Sequence, residues 1–211
     1  MRVGVLVSGG GTNLQAILDA VASGTLPLTV ALVLSDRPGV RALERAAAAG
    51  VPAAVVQTAD YPGRDAYSAA VAAELRAAGC EWVVLAGYLK ILTAPFLDAF
   101  ASRVINTHPA LLPSFGGPGM HGLAVHQAVL DWGCRVSGCS VHFVDASVDG
   151  GPLIEQVAVR VAADDTAESL QARILPHEHE ALVRVLGWLA AGRVRVDGRR
   201  VTVAGADEET N

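Results

Sequence analysis

The sequence predicts an α/β fold with a mostly parallel sheet and helices on both faces, and three observations carry that expectation. Short β-branched or apolar runs recur at Arg2–Val7, Leu28–Leu34, Ala53–Val56, Trp82–Leu85 and Val104–Asn106. Between them apolar residues return at helical spacing, as in Leu14, Ile17, Leu18 and Val21. Turn signals such as Ser8-Gly9-Gly10-Gly11-Thr12-Asn13 and Ser35-Asp36-Arg37-Pro38-Gly39 close the runs. Strands alternating with helices in this way mark βαβ units, whose parallel strands are buried on both sides.

The elements follow in order. After the glycine turn, the first helix ends at Gly24. A short Ala-rich helix is expected over Val40–Ala49, a longer one from Tyr61-Pro62-Gly63-Arg64 to Ala78, and a short one over Ala94–Ala99, with Gly87–Leu92 as the loop leaving the fourth strand. Pro109 and Pro113 forbid helix after Val104–Asn106. Gly116–Gly122 reads as a loop, Leu123–Trp132 as a helix, Val141–Val144 as a strand containing His142, and Pro152–Val161 as another strand. Thr166–Ala191 is the longest helical pattern, with Asp164 or Asp165 near its N-cap. Arg193–Val203 alternates around Asp197-Gly198, a hairpin signal. A single domain over residues 1–205 is expected, and the polar, acidic residues 206–211 are expected to be a disordered tail.

Composition narrows the function. The 211 residues, 52% of them hydrophobic, suffice for a substantial core. A net charge of -5 with scattered basic residues argues against a nucleic-acid partner. Met1–Val7 is too short an apolar run for a signal peptide or a membrane span, so a cytoplasmic protein with no membrane partner is expected, as a monomer or homodimer. Cys80, Cys134 and Cys139 lack CxxC spacing and paired histidine ligands, which favours buried thiols over a disulfide framework or a zinc site.

The polar motifs suggest chemistry. Ser8–Asn13 places three glycines between a strand and a helix, where backbone amides and the helix N-terminus suit a phosphate. A dinucleotide site is the alternative: Gly9 and Gly11 fit its pattern, Leu14 occupies the third glycine position, and Asp36 could serve as the ribose-binding acid. A tight turn without ligand is the third reading. Asn106 and His108 share one facing at the carboxyl end of a strand, where ligands bind in open parallel sheets. Asn106 could donate to a developing oxyanion, and His108 could donate or move a proton near neutral pH. His142 reads as a core or supporting histidine. Asp149, before Gly150-Gly151-Pro152, either holds a histidine or water or forms an Asx turn. His177 and His179 point apart on a helix, which disfavours a metal pair, and Glu178 between them reads as a solvated charge.

Taken together these motifs resemble the folate-dependent glycinamide ribonucleotide formyltransferase family along nearly the whole chain. The residues that carry the resemblance are Ser-Gly-Gly-Gly-Thr-Asn at 8–13, Ala-Gly-Tyr-Leu-Lys-Ile-Leu at 86–92, Asn-Thr-His-Pro-Ala-Leu-Leu-Pro at 106–113, Ser-Val-His-Phe-Val at 140–144, Val-Asp-Gly-Gly-Pro at 148–152 and Glu-His at 178–179. The resemblance implies a Rossmann-like formyltransferase fold and transfer of the formyl group of 10-formyltetrahydrofolate, as co-substrate, to the amine of glycinamide ribonucleotide in purine biosynthesis, with no metal. It implies Asn106, His108 and Asp149 as the catalytic trio. Gly11, Thr12 and Asn13 would form the ribonucleotide phosphate loop, with Glu178 as a further contact to that substrate. Arg64, Leu89, Lys90, Ile91 and Leu92, together with Asn106 and the loop Asp145, Ala146, Ser147, Val148 and Asp149, would form the folate side. A cis Leu112-Pro113 bond is also implied.

Two features depart from the family pattern: the loop Gly116–His121 is longer than its shortest version, and Lys90 stands where some relatives carry Arg. A formyltetrahydrofolate deformylase, using water as acceptor, is the nearest alternative, but such enzymes carry an extra N-terminal domain and the first strand here begins at Arg2. Methionyl-tRNA formyltransferase needs a C-terminal RNA-binding domain, where this sequence ends in acidic residues. A non-enzymatic nucleotide-binding module would use the glycine turn and Asp36 but leaves Asn106, His108 and Asp149 without a role.

Overall fold

Val5, Leu6 and Val7 are consecutive and all fully buried, although successive strand residues point to opposite faces. A strand without alternation must be covered on both sides, and this one is the interior strand β1 (Arg2–Val7) of a parallel ladder. The computed structural model describes residues 1–205, which divide into two compact units, Met1–Asn106 and the residues from Thr107 onward. The tail expected at 206–211 lies outside the described residues.

In the first unit β2 (Thr29–Ser35), β3 (Ala53–Val55) and β4 (Trp82–Leu85) join β1, and β4 pairs with the first residues of β5 (Val104–His108). All these pairings are parallel, and the helices α1 (Thr12–Ala22), α2 (Arg41–Ala48), α3 (Arg64–Ala77) and α4 (Ala94–Leu97) connect them. A 3-10 turn at Thr58–Asp60, which the sequence pattern did not signal, precedes α3. Gly4 lets α3 approach β1: a Cβ there would lie 2.3 Å from Leu75 Cδ2 and 3.1 Å from Cys80 Sγ.

The second unit contains α5 (Leu123–Asp131), the antiparallel pair β6 (Val136–Phe143) and β7 (Leu153–Arg160), the helix α6 (Ala167–Ala190) and the hairpin β8 (Val194–Asp197) and β9 (Arg200–Val203). The strand order is β3-β2-β1-β4-β5-β6-β7, with β8-β9 as a separate two-stranded sheet. The fold is therefore α/β, with a mostly parallel sheet and a C-terminal hairpin. On α6, Leu170, Ile174, Leu182, Val185 and Leu186 are fully buried at helical spacing, which explains how a helix interrupted by Pro176 persists: packing outweighs the lost hydrogen bond.

Several boundaries and environments differ from the sequence expectation. β5 continues to His108 instead of stopping at Asn106. β6 starts at Val136 instead of Val141, because the run Ser137-Gly138-Cys139-Ser140 hides a strand whose residues from Ser137 onward are all buried. The N-cap of α6 is Thr166, not Asp164 or Asp165: its hydroxyl accepts from Ser169 N at 3.2 Å while Ser169 Oγ accepts from Thr166 N at 3.0 Å. Asp165 instead takes both Nη atoms of Arg173, each at 2.6 Å. Cys80 and Cys139 are buried free thiols, whereas Cys134 is only half-buried.

Candidate active site

His108 is the last residue of β5, two positions after Asn106, so strand geometry gives both side chains one facing. Its ring is almost wholly buried, and Nε2 lies 2.8 Å from the carbonyl oxygen of Phe115. A carbonyl only accepts, so Nε2 carries the proton there and Nδ1 is the nitrogen left for other chemistry. Nδ1 faces Asp149 Oδ2 at 3.6 Å, an ion-pair distance when the ring is charged but too long for a hydrogen bond. Gly117 N donates to the same Oδ2 at 2.9 Å. Asp149 Oδ1 lies 3.8 Å from Nε2 of His142, whose Nδ1 donates to the carbonyl of Phe143 at 2.8 Å. One carboxylate thus stands between two buried imidazoles, each pinned by a backbone carbonyl on its far side.

The backbone around this cluster is strained where it must be. Among non-glycine described residues only Ser102, Phe115 and Asp149 have positive φ, and the last two are at 55° each. Phe115 is the acceptor for His108 and Asp149 its ion-pair partner, so the left-handed conformations aim the two groups that hold the ring. Gly151 allows the Asp149 turn to press against the end of β6, since a Cβ there would sit 1.8 Å from the Phe143 carbonyl oxygen. The longer loop from Gly116 supplies the Gly117 amide to Asp149, which gives that departure from the family pattern a structural use.

A third imidazole completes the surroundings. His126 on α5 is fully buried, and neither of its ring nitrogens has a hydrogen-bond partner among the described residues. Burial pushes its pKa below the usual 6.5, and nearby His108 pushes the same way. Burial likewise lowers His142, against the raising effects of the Phe143 carbonyl and Asp149. A histidine whose folded pKa is depressed contributes stability that is present above its unfolded pKa and lost as pH falls. Lowering the pH from about 7.5 to about 5.5 therefore lowers the urea midpoint, and His126→Leu, which leaves no polar group unpaired, flattens part of that slope. Urea titrations of both proteins check this, and an unchanged slope contradicts it.

In the first unit the glycine turn is braced from behind. Ala42 N donates to Gly9 O at 3.1 Å and Arg45 Nε to Gly10 O at 2.9 Å, so two turn carbonyls are directed to α2. Gly11 caps α1 at φ 69, and a Cβ there would lie 2.6 Å from that of Ala42. Thr12 and Asn13 form the first turn of the helix. Ser8 Oγ accepts from Leu89 N at 2.9 Å, so this turn also holds the loop after β4. In that loop Leu89 and Ile91 are exposed and Leu92 is buried, while Arg64 opens α3 as an exposed residue.

The remaining expected residues lie in the second unit. Asp145 and Ser147 form an Asx turn, with Ser147 N donating to Asp145 Oδ1 at 2.8 Å, and Ala146 and Val148 are exposed beside them. Glu178 is buried on α6, not a solvated charge, and it lies close enough to the buried Cys139 to help burial push that thiol up to about 12. Asp149 is not a plain Asx turn either, given its histidine partners. The Leu112-Pro113 bond is cis. Sequence reasoning missed Phe115, which acts through its backbone and carries no side-chain signal, and passed over His126 for want of a visible partner. No group of three or more His, Cys, Asp or Glu among the described residues is arranged to hold a metal ion.

The sequence model of the formyl transferase family matches residues 1–186. The chain belongs to the formyl transferase family. Among solved formyl transferase structures, the chain is similar to glycinamide ribonucleotide transformylase 1 from Symbiobacterium toebii, at 47% identity over 96% of this chain and 93% of that one, with a TM-score of 0.92. It is 44% identical to the phosphoribosylglycinamide formyltransferase of Mycobacterium tuberculosis (strain CDC 1551 / Oshkosh), covering 96% of this chain and 91% of the relative. It is 43% identical to the trifunctional purine biosynthetic protein adenosine-3 of Drosophila pseudoobscura pseudoobscura, where 92% of this chain spans only 14% of the relative's length.

Proposed function

We propose that this chain transfers the formyl group of 10-formyltetrahydrofolate to the amine of glycinamide ribonucleotide, a step of purine biosynthesis, by direct transfer without a covalent enzyme intermediate. The observation that carries the reading is His108, fixed through Nε2 by the Phe115 carbonyl with Nδ1 facing Asp149, on the strand that also presents Asn106. Relatives matched over almost their full length and named for this activity support the choice of acceptor.

The chemistry is acyl transfer. The neutral amine attacks the formyl carbon, the carbonyl oxygen takes the negative charge, and the bond from carbon to the folate nitrogen then breaks. The Asn106 amide and a protonated His108 stabilise the oxyanion by donating to it. The Nδ1 proton is available because its contact with Asp149 is loose, at 3.6 Å. Asp149 offsets the imidazolium charge and receives the proton lost by the amine, directly or through water, and that proton is passed to the folate nitrogen as its bond to the formyl carbon breaks. Holding both reactants together supplies much of the remaining advantage.

In this reading Gly11, Thr12 and Asn13 hold the ribonucleotide phosphate, with turn amides and the α1 N-terminus as donors. Glu178 contacts the same substrate. Arg64, Leu89–Leu92, Asn106 and the loop 145–149 form the folate side. The substrates are small molecules, the setting is the cytoplasm, and no helix among the described residues is long and apolar enough to cross a membrane.

Gly11→Ala tests the phosphate assignment, because a Cβ meets Ala42 and φ 69 is costly for alanine. The KM for glycinamide ribonucleotide rises about tenfold, equivalent to roughly 1.4 kcal/mol, while the KM for 10-formyltetrahydrofolate stays within about twofold. Steady-state kinetics read both values, and an unchanged ribonucleotide KM argues against a phosphate loop.

A further inference from the structure

Asp36, the candidate ribose-binding acid, has its carboxylate engaged by two cationic side chains. It follows the last residue of β2, and its side chain is 1% exposed. Arg37 Nη2 approaches Oδ2 at 3.2 Å from the solvent side, where Arg37 is 48% exposed. Lys90 Nζ lies 3.5 Å from the same oxygen, on a side chain 34% exposed. The turn that places Asp36 is itself fixed: Ser35 Oγ donates to Arg37 O at 2.8 Å and accepts from Arg37 N at 3.2 Å.

Lys90 is one of three consecutive loop residues, each held by a different element. The hydroxyl of Tyr88 is hydrogen-bonded to that of Tyr67 on α3, with both rings buried. Burial raises both phenols and the Asp36 charge adds to this, so each stays protonated at neutral pH and able to donate. Leu89 N donates to Ser8 Oγ at the glycine turn. Lys90 pairs with Asp36 at the end of β2. Of the next two residues Ile91 is exposed and Leu92 buried, and beyond them Thr93 N donates to Ser68 Oγ on α3 at 3.0 Å.

We propose that Asp36 is a positioning residue for the formyl-donor loop, fixing Lys90 so that residues 88–92 hold one conformation before the donor arrives. The proposal rests on the reading above that Leu89–Leu92 takes 10-formyltetrahydrofolate. A buried carboxylate facing a half-exposed ammonium is directional in a way a surface pair is not, because the carboxylate has no route to solvent except through its partners. Lys90 therefore acts as a strut with its charge already balanced, not as a free cation for the donor's carboxylates. A loop fixed in advance loses less conformational freedom on binding, so the benefit falls on donor affinity and not on the chemical step.

The test is a double-mutant cycle with Asp36→Asn and Lys90→Met, read by the KM of each substrate, by kcat at saturation and by titration of the enzyme with tetrahydrofolate. Asp36→Asn raises the donor KM and weakens tetrahydrofolate about tenfold, leaving the ribonucleotide KM and kcat within about twofold. Asp36→Glu, which keeps the charge, recovers part of the loss. The double variant is no worse than Lys90→Met alone, because the two act through one contact. Additive losses, or an equal rise in both KM values, would mean general loosening of the fold and overturn the proposal. Weaker donor binding in Lys90→Met with none in Asp36→Asn also overturns it, while leaving the donor loop assigned. If Lys90→Met does not change donor affinity, the assignment of this loop to the donor fails and the proposal fails with it.

Discussion

Asp149→Asn lowers kcat for formyl transfer by about 10²- to 10⁴-fold, the range of a lost acid–base partner, and leaves the protein folded. The substitution keeps the shape of the side chain. Asparagine tolerates the left-handed conformation that φ 55 imposes, and its amide oxygen can still accept from Gly117 N. What disappears is the negative charge between His108 and His142. Without it the imidazolium of His108 has no balancing charge in a buried site, and the amine proton has no carboxylate to receive it. The KM values change little, because the charge matters most where charge develops. Steady-state kinetics beside a thermal melt checks this, and near-wild-type kcat in a folded variant contradicts the assignment of Asp149.

His108→Ala has an effect of similar size on kcat and a larger one on stability. In the proposed mechanism the ring supplies a donor to the oxyanion, and its loss removes that together with the proton path to Asp149. It also strips the part-buried Phe115 carbonyl of its partner, at a cost of about 1 kcal/mol. A variant carrying both His108→Ala and Asp149→Asn is scarcely slower than the worse of the two, because the groups act as one unit. Full additivity of the two losses would mean that they serve separate steps, against the mechanism given above.

Much of this was legible in the sequence, for reasons that differ between regions. The parallel half was plain because buried strands such as Arg2–Val7 and Trp82–Leu85 are continuous apolar runs, and Gly24, Gly50 and Gly79 punctuate the helices and turns between them. β6 was cut short because its first half carries Ser137, Gly138 and Ser140, which read as loop; in the fold Ser140 Oγ donates to Ala110 O at 2.7 Å and accepts from Leu112 N at 3.0 Å, so its polarity is satisfied inside. Thr166 was overlooked as a cap because two aspartates beside it fit the same pattern.

At the candidate site, residue types that carry chemistry were visible and backbone contributions were not. His108 and Asp149 stood out by type, and the alternation in Val141-His142-Phe143 suggested that His142 would be supporting, which its contact with Asp149 bears on directly. The carbonyls of Phe115 and Phe143, each of which takes one nitrogen of a ring, belong to side chains that say nothing of the role. Glu178 reads as solvated because a charged residue inside a helical pattern usually is, and only the packing of α6 shows it buried. Asp36 was legible as an unusual acid at a strand end, but its partner Lys90 is 54 positions further on, beyond any local pattern.

The most direct test of the central claim is the consumption of 10-formyltetrahydrofolate by the wild-type protein, followed by absorbance with and without glycinamide ribonucleotide, with the product identified by mass. Consumption that requires the ribonucleotide and yields its formylated form is the expected result. Equal consumption without it, with release of formate, would make the chain a hydrolase and contradict the proposed transfer.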